Sequence, residues 1–168
     1  HAFPGYHAFP GGKIEKDEAS TPFETDFLCE HDALRMHALQ REIIEELGYD
    51  LEEGIKNGEV LSVNELAEAL APPFAPIRFR TWFYRVDLRN RINFKVDSGE
   101  FADSFWKTSE ELLETFQSGK SLMVPPTRWV LEGLQRNPHA NEFGDLSESF
   151  AEDDRVTCLE MLKGVPLL

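Results

Sequence analysis

Positive charge is scarce in this chain. Its 168 residues include 17 lysines and arginines against 31 aspartates and glutamates, so the formal net charge is -14 at pH 7. A surface of that sign repels the phosphate backbone of nucleic acids and the head groups of anionic membranes, which argues against both as partners. A small anionic ligand stays compatible with it, because a bound divalent cation reverses the local charge.

Cysteine is scarce as well, and long apolar runs are absent. The two cysteines, Cys29 and Cys158, make neither a disulfide framework nor a metal-ligand spacing, so we expect free thiols in a reducing compartment. No apolar run has the length of a membrane span, and no signal peptide is recognisable in a sequence that begins at His1. We expect a protein of the cytoplasm, or of an organelle matrix, whose N-terminal part is missing from this sequence.

Acidic residues are concentrated on one face of a predicted helix over residues 33–48. Glu42, Glu45 and Glu46 stand at i, i+3 and i+4, so their carboxylates are expected to converge beside the helix. Like charges at this spacing destabilise a helix unless a cation offsets them. Charged helix faces are usually solvated surface, and that is the alternative interpretation. An apolar stripe that would hold this helix against a core consists of Met36, Leu39, Ile43 and Leu47.

A glycine turn precedes this helix and completes a recognisable pattern. Gly11 and Gly12 follow Phe9-Pro10, and Glu18 follows Gly12 after five residues. Arg41, which can pair with Glu45 four residues later, begins the sequence Arg-Glu-Ile-Ile-Glu-Glu-Leu-Gly-Tyr over residues 41–49. This arrangement resembles the Nudix box, the catalytic loop and helix of the Nudix hydrolases.

The resemblance includes one departure, which is an insertion. Between Glu18 and Arg41 lie 22 residues where the family's box has seven, so this box carries 15 extra residues. Residues 19–31 are predicted to be irregular, and Asp32 is a plausible N-cap for the helix. Loop closure costs little more as a loop lengthens, so the insertion need not move the glutamates. It does leave the first glutamate of the box open between Glu18, Glu15 and Glu24.

Further motifs resemble one subgroup of the family. Four segments are similar to motifs of the coenzyme A diphosphatases and of Nudix domains fused to metallo-β-lactamase-like domains. They are His-Ala-Phe-Pro-Gly-Gly at residues 7–12, Pro72–Tyr84, Glu100–Trp106 and Leu122–Thr127. The resemblance covers about residues 6 to 136. We therefore expect a Nudix domain over 1–136, N-terminally incomplete, and an acidic linker and C-terminal segment over 137–168 that leads to an absent second domain or docks as a strand.

The resemblance implies an α/β/α sandwich with a mixed sheet, lacking its N-terminal strands in this chain. It also implies hydrolysis of a pyrophosphate bond in a nucleoside diphosphate derivative, with coenzyme A or an acyl-coenzyme A as candidate substrates. The implied cofactor is Mg²⁺ or Mn²⁺, because hard cations prefer oxygen ligands and activate a bound water. The implied metal ligands are Glu42, Glu45, Glu46 and the carbonyl of Gly12.

Four more residues are candidates for the site. The general base is expected either from the glutamate cluster of the helix or from a later loop, where the resemblance points to Glu100 as metal ligand or base. Asp103 competes with Glu100 for this role, and a polar hairpin rim is the alternative for both. His7 lies beside the glycine turn, and Arg78 begins a basic region that could face phosphate, so both are predicted to bind substrate together with the Gly11 and Gly12 backbone. Trp82 and Phe83 are expected in the core, with stacking on a base as the alternative.

Hydrophobic periodicity and turn residues predict the remaining elements. Their predicted bounds are a short strand within 1–12, a helix over Val60–Leu70 stopped by the prolines that follow, strands over Arg78–Val86 and Phe101–Trp106, and helices over Ser109–Gln117 and Thr127–Gln135. Two functions remain from different classes. The chain is predicted to be a pyrophosphohydrolase, and the alternative is a catalytically weak Nudix-fold module that binds nucleotides or regulates.

Overall fold

The computed structural model of the protein describes residues 6–71, 78–96 and 103–146. In these residues the helices are α1 (Ala33–Leu47), α2 (Leu51–Lys56), α3 (Ser109–Gln117) and α4 (Pro125–Arg136). The strands are β1 (Tyr6–His7), β2 (Val60–Leu70), β3 (Arg80–Leu88), β4 (Leu122–Met123) and β5 (Gly144–Asp145). None of the described helices combines the length and the apolarity needed to cross a membrane. Residue contacts divide the chain into two compact units, one of residues 1–8, 66–83 and 107–168, the other of residues 9–65 and 84–106.

Helix α1 lies in the second of these units. Asp32 caps its N-terminus by accepting a hydrogen bond from the Arg35 N–H at 3.0 Å. Gly48 ends it in the left-handed conformation at φ 61°, which suits a residue without a Cβ. The predicted helix over 33–48 and its cap are thereby confirmed. The apolar side of α1 packs in a core built around Leu28, Met36, Ile43, Leu51, Val60 and Val63.

The prediction of a helix over Val60–Leu70 is wrong, because these residues form β2. The segment 64–70 is rich in helix formers, yet β2 has a strand on either side, in the order β3-β2-β5. Its buried residues include the neighbours Leu66 and Ala67, whose side chains point to opposite faces of a strand. Burial on both faces and pairing along both edges stabilise the strand more than local helix propensity stabilises the helix.

The sheet is mixed, as expected for the predicted α/β class. Strand β5 runs parallel to β2, with Ala67 opposite Gly144. Strand β3 runs antiparallel to β2, since Ala71 N–H donates to the Phe79 carbonyl at one end of the pair and Arg89 N–H donates to the Glu59 carbonyl at the other. The strand predicted over Arg78–Val86 is confirmed with its start shifted to Arg80.

The other unit contains α3, α4 and two short parallel strands. The predicted helix over Ser109–Gln117 is confirmed at both ends, and Thr108 and Glu111 form a capping box at its start. The predicted helix over Thr127–Gln135 is confirmed within α4, which begins earlier because Pro125 is accepted in a first turn. Strand β1 confirms the short strand expected near the N-terminus and pairs in parallel with β4.

Two further expectations meet the structure near the ends of the described segments. Asp103 to Trp106 have no regular secondary structure, so the strand predicted over Phe101–Trp106 is wrong for its described part. The polar segment expected after residue 136 contains β5 and the buried residues Ala140 and Leu146. The domain boundary at 136 and the role of residues 147–168, which lie outside the described residues, stay predictions.

Candidate active site

The glycine turn lies directly against two carboxylates of α1. Gly11 N–H donates to the Glu46 carboxylate at 2.8 Å, and Gly11 has φ 150°, a conformation that L side chains rarely adopt. A Cβ on Gly12 would collide with the Glu42 carboxylate. Glu42 and Glu46 are 9% and 4% exposed. The turn and the helix, whose hydrogen-bonded residues Gly11 and Glu46 are 35 residues apart in sequence, therefore enclose two buried carboxylates between them.

The Arg41 guanidinium connects the parts of this site. Its Nη1 donates to Glu42 at 2.7 Å and to Glu45 at 3.4 Å. Its Nη2 donates to Glu18 at 3.0 Å and to the Lys13 carbonyl at 2.8 Å. Arg41 thus holds the Gly-turn segment, the glutamate after it and the helix together by charge-assisted hydrogen bonds.

Glu18 is the glutamate of the loop that meets the arginine. The Glu18 side chain is 7% exposed, and its hydrogen bond from Arg41 lowers the pKa of the carboxyl below its usual value. The same pairing, with a contribution from Glu42, raises the pKa of the Arg41 guanidinium further. Of the three glutamates left open by the sequence, Glu18 is the one that the structure pairs with Arg41. The spacing from Gly12 to Glu18 already favoured Glu18 as the glutamate of the box. The sequence alone suggested only Glu45 as the partner of Arg41.

The three carboxylates of α1 have different environments. The Glu45 side chain is 59% exposed, whereas Glu42 and Glu46 face the glycine turn and are buried. Across residues 6–71, 78–96 and 103–146, no group of three or more His, Cys, Asp or Glu side chains is arranged to hold a metal ion. The convergence of Glu42, Glu45 and Glu46 on one point is therefore not present in this structure, and their role as metal ligands stays a prediction.

The chemistry of the donor set fits a hard divalent cation. Every side-chain donor in the group is a carboxylate oxygen, the ligand type that Mg²⁺ prefers. Glu18, Glu42 and Glu45 are all paired with the Arg41 guanidinium, so these four side chains together have a formal charge of -2. A cation beside them would offset this negative charge, whose free-energy cost is greatest for the buried carboxylates.

The remaining predicted site residues lie elsewhere in the chain or outside the described residues. His7 belongs to β1 and Arg78 precedes β3, both in the unit of α3 and α4. The Arg78 side chain is exposed and donates from Nε to the Ala71 carbonyl at 3.0 Å. Asp103 is exposed and accepts from the Ser104 N–H at 2.8 Å. Glu100 lies outside the described residues.

The insertion in the box packs against α1 and α2 in the same unit. Thr25 donates to Glu52 of α2 at 2.6 Å, and the His37 ring of α1 bonds the Thr21 carbonyl at 2.8 Å. The Phe23 ring stacks on the His37 ring with centroids 4.3 Å apart. Apart from one 3-10 turn at Leu28–Glu30 the segment is irregular, as predicted. It contacts α1 through His37 and through Leu28, which packs in the same core as Met36, and it leaves Glu18 paired with Arg41.

One polar cluster was not indicated by the sequence. Arg35 of α1 donates to Glu65 of β2 at 2.7 Å, and the Tyr84 hydroxyl of β3 donates to the same carboxylate at 3.1 Å. Burial raises the pKa of the Tyr84 hydroxyl. The three residues come from separate elements, so their meeting depends on the sheet. Because β2 was predicted as a helix, no sequence signal placed Glu65 beside Tyr84.

Comparison with known proteins supports the fold. No protein-family model matches the chain, and no curated protein matches it either. Among solved structures it is similar to the crystal structure of a NUDIX hydrolase from Alicyclobacillus acidocaldarius, with a TM-score of 0.61 and 24% sequence identity over 80% of this chain and 78% of that chain. The chain therefore has a Nudix-type α/β fold.

Proposed function

We propose that this chain hydrolyses the pyrophosphate bond of a nucleoside diphosphate derivative, using Mg²⁺ or Mn²⁺ held by glutamates of α1. The observation that carries the proposal is the close contact between the glycine turn and the buried carboxylates Glu42 and Glu46. Burying the carboxylates of Glu42 and Glu46 on the helix that also carries Glu45 costs free energy unless a cation or hydrogen-bond donors offset their charge. The likeness of the fold to that of a Nudix hydrolase supports the same function.

The residues that would hold the metal are Glu42, Glu45, Glu46 and the Gly12 carbonyl. When bound, a divalent cation neutralises charge on the phosphoryl oxygens and lowers the pKa of a coordinated water. The protein's own groups orient these ligands. Gly11 N–H fixes the Glu46 carboxylate, and Arg41 fixes Glu42 while it connects the helix to Glu18. The lack of a side chain on Gly12 leaves the space that the Glu42 carboxylate occupies.

The attacking water must lose a proton to a carboxylate of the chain. Glu45 is the exposed member of the helix group, so its oxygens are open to solvent and to a substrate. Glu100 is the second candidate, by resemblance. A general base within hydrogen-bond reach of the water contributes about 100- to 10,000-fold to the rate. Replacing the true base by glutamine should therefore lower kcat by that order while the fold is retained.

The proposal includes coenzyme A or an acyl-coenzyme A as the substrate. Its support is the sequence around the glycine turn and the Leu122–Thr127 segment, which resemble motifs of the coenzyme A diphosphatases. His7 and Arg78 are proposed as substrate contacts on the same ground. The net charge of -14 agrees with a substrate that reaches the site with its own divalent cations.

The function is tested by incubating the protein and Mg²⁺ with coenzyme A, ADP-ribose, NADH and diadenosine polyphosphates, and separating the products by chromatography. We expect cleavage of at least one compound at its pyrophosphate. Glu45→Gln and Glu46→Gln should each reduce that activity at least 100-fold. Glu114→Gln is the matched control, because Glu114 is an exposed glutamate of α3, and it should retain wild-type activity.

Unchanged activity in both glutamine variants would contradict the role of the α1 glutamates. A folded protein that is inert on every compound, yet binds one of them in a calorimetric titration, would favour the nucleotide-binding module over the hydrolase.

A further inference from the structure

Trp106 is a large aromatic side chain that is fixed in position and yet exposed. Its relative exposure is 44%, although burial of an indole ring in a core removes a large apolar area from water. The residue follows the exposed Phe105 in a segment without regular secondary structure. An exposed aromatic side chain on an irregular segment is usually free to change rotamer. Trp106 therefore needs specific contacts to keep one orientation.

Two contacts hold the indole. Its Nε1–H donates to the Ile92 carbonyl at 2.8 Å, which satisfies the ring's only hydrogen-bond donor. The ring also lies over Phe94 with centroids 5.6 Å apart and an interplanar angle of 30°. The orientation of Trp106 is thereby set before any ligand arrives, and a ligand that stacks on it pays little conformational entropy.

The same contacts lead from Trp106 to the helix of the candidate active site. Phe94 meets Tyr49 edge to face at 5.8 Å, and Tyr49 directly follows Gly48, the C-cap of α1. Lys95 N–H donates to the Leu47 carbonyl in the last turn of that helix at 3.2 Å. The segment that supports the indole is thus joined to the end of α1 that carries Glu45 and Glu46.

The segment that supports the indole also carries two exposed cations. Arg91 and Lys95 are exposed on either side of Phe94, in a chain whose formal net charge is -14. These two cations belong to the segment that supports the indole, so they are available to the anionic group of a ligand that also has a flat ring. A nucleotide combines these two features.

We propose that Trp106 is the stacking platform for the nucleobase of the substrate. The inference rests on the proposed function and extends it, since it assigns the base end of a nucleoside diphosphate to the segment beside the C-terminus of α1. Stacking of a base on an aromatic side chain depends on the planar face of the base, so the platform tolerates different bases. Arg91 and Lys95, on the segment that supports the indole, are the proposed partners for the phosphate.

The test measures the contribution of the base to binding. The full chain is titrated calorimetrically with AMP and with ribose 5-phosphate, which has the same phosphate and no base. The wild type should bind AMP on the order of tenfold more tightly, the scale of one base-aromatic stack. Trp106→Ala should bind the two ligands with equal affinity, and Trp106→Phe, which keeps a flat ring and loses the Ile92 hydrogen bond, should retain most of the preference for AMP.

Phe105→Ala is the matched control, because Phe105 is the neighbouring residue and is 49% exposed. It should keep the preference for AMP. The proposal is overturned if the wild type binds AMP and ribose 5-phosphate equally, if Trp106→Ala keeps the preference, or if Phe105→Ala or Trp106→Phe abolishes it as fully as Trp106→Ala does. These titrations require no hydrolysis, so a wild type that cleaves nothing on the substrate panel refutes the hydrolase proposal without affecting the measurement at Trp106.

Discussion

At the scale of single residues, the site depends on the absence of a side chain at Gly12. The turn can approach α1 only because no Cβ stands where the Glu42 carboxylate lies. The adjacent Gly11 has a different reason for being glycine, since its φ of 150° is unfavourable for other residues. One glycine is therefore required by close approach and the other by backbone conformation.

The first prediction concerns Gly12→Ala. The added methyl group must displace the Glu42 carboxylate or the turn, and a displacement of about 1 Å in a catalytic group costs on the order of 100-fold in rate. We expect kcat/KM to fall by that factor on whichever substrate the panel identifies. Steady-state kinetics measure it, and circular dichroism checks that the helix content is unchanged. Lys16→Ala, an exposed change in the same loop, should leave the rate within twofold of wild type; equal losses in both variants would contradict the argument.

At the scale of elements, α1 is defined by its ends. Asp32 satisfies the Arg35 N–H at the start of the helix, and Gly48 provides the left-handed residue at its end, where Lys95 O would lie 3.2 Å from a Cβ. Both signals are local in the sequence, which explains why the helix was predicted nearly to the residue. In β2 the local signal and the observed structure disagree.

The second prediction tests the cap of α1. Asp32→Ala removes the acceptor of the Arg35 N–H and should lower the free energy of unfolding by about 1 kcal/mol. Asp32→Asn keeps a capping oxygen but removes the ion pair with Arg35, so it should lose much less. Urea unfolding at pH 7 measures both. If the asparagine variant were destabilised as much as the alanine variant, the ion pair and not the cap would be the stabilising contact.

At the scale of the whole molecule, the charge balance makes stability depend on pH in a definite direction. The pKa of Glu18 is lowered by Arg41, that of Asp50 by the Glu53 N–H, and that of Glu52 by Lys56. A carboxyl whose pKa is lower in the folded than in the unfolded state stabilises the fold above its unfolded pKa. That stabilisation is lost as the pH falls through the folded pKa.

The third prediction isolates the contribution of Glu18. The unfolding free energies of the wild type and of Glu18→Gln should differ most at pH values above the ordinary carboxyl pKa of 4.5, and the difference should shrink as the pH falls through the lowered pKa of Glu18. Urea titrations between pH 7 and pH 3 measure the difference. Using the difference removes the effect of the large net negative charge, whose self-repulsion also changes over this range. A difference that grows as the pH falls would contradict the ion pair.

Signals between residues that are close along the chain were sufficient to predict several parts of this protein. The apolar stripe, the cap and the terminal glycine specify α1. The spacing from Gly12 to Glu18 and from Arg41 to Glu46 resembles the Nudix box despite the insertion. Helices α3 and α4 have equally local signals. The mixed α/β class follows from the alternation of such segments.

Contacts between residues that are distant along the chain became known from the folded structure alone. The pairing of Glu18 with Arg41, the meeting of Glu65 with Tyr84 and the support of Trp106 by Ile92 and Phe94 each join residues from segments far apart in sequence. The same holds for β2, whose local helix propensity is overridden by strand pairing on both edges and burial on both faces. Propensity and periodicity act over one or two turns of chain, whereas burial and pairing depend on what the rest of the fold places beside a segment, and that information has no local signal.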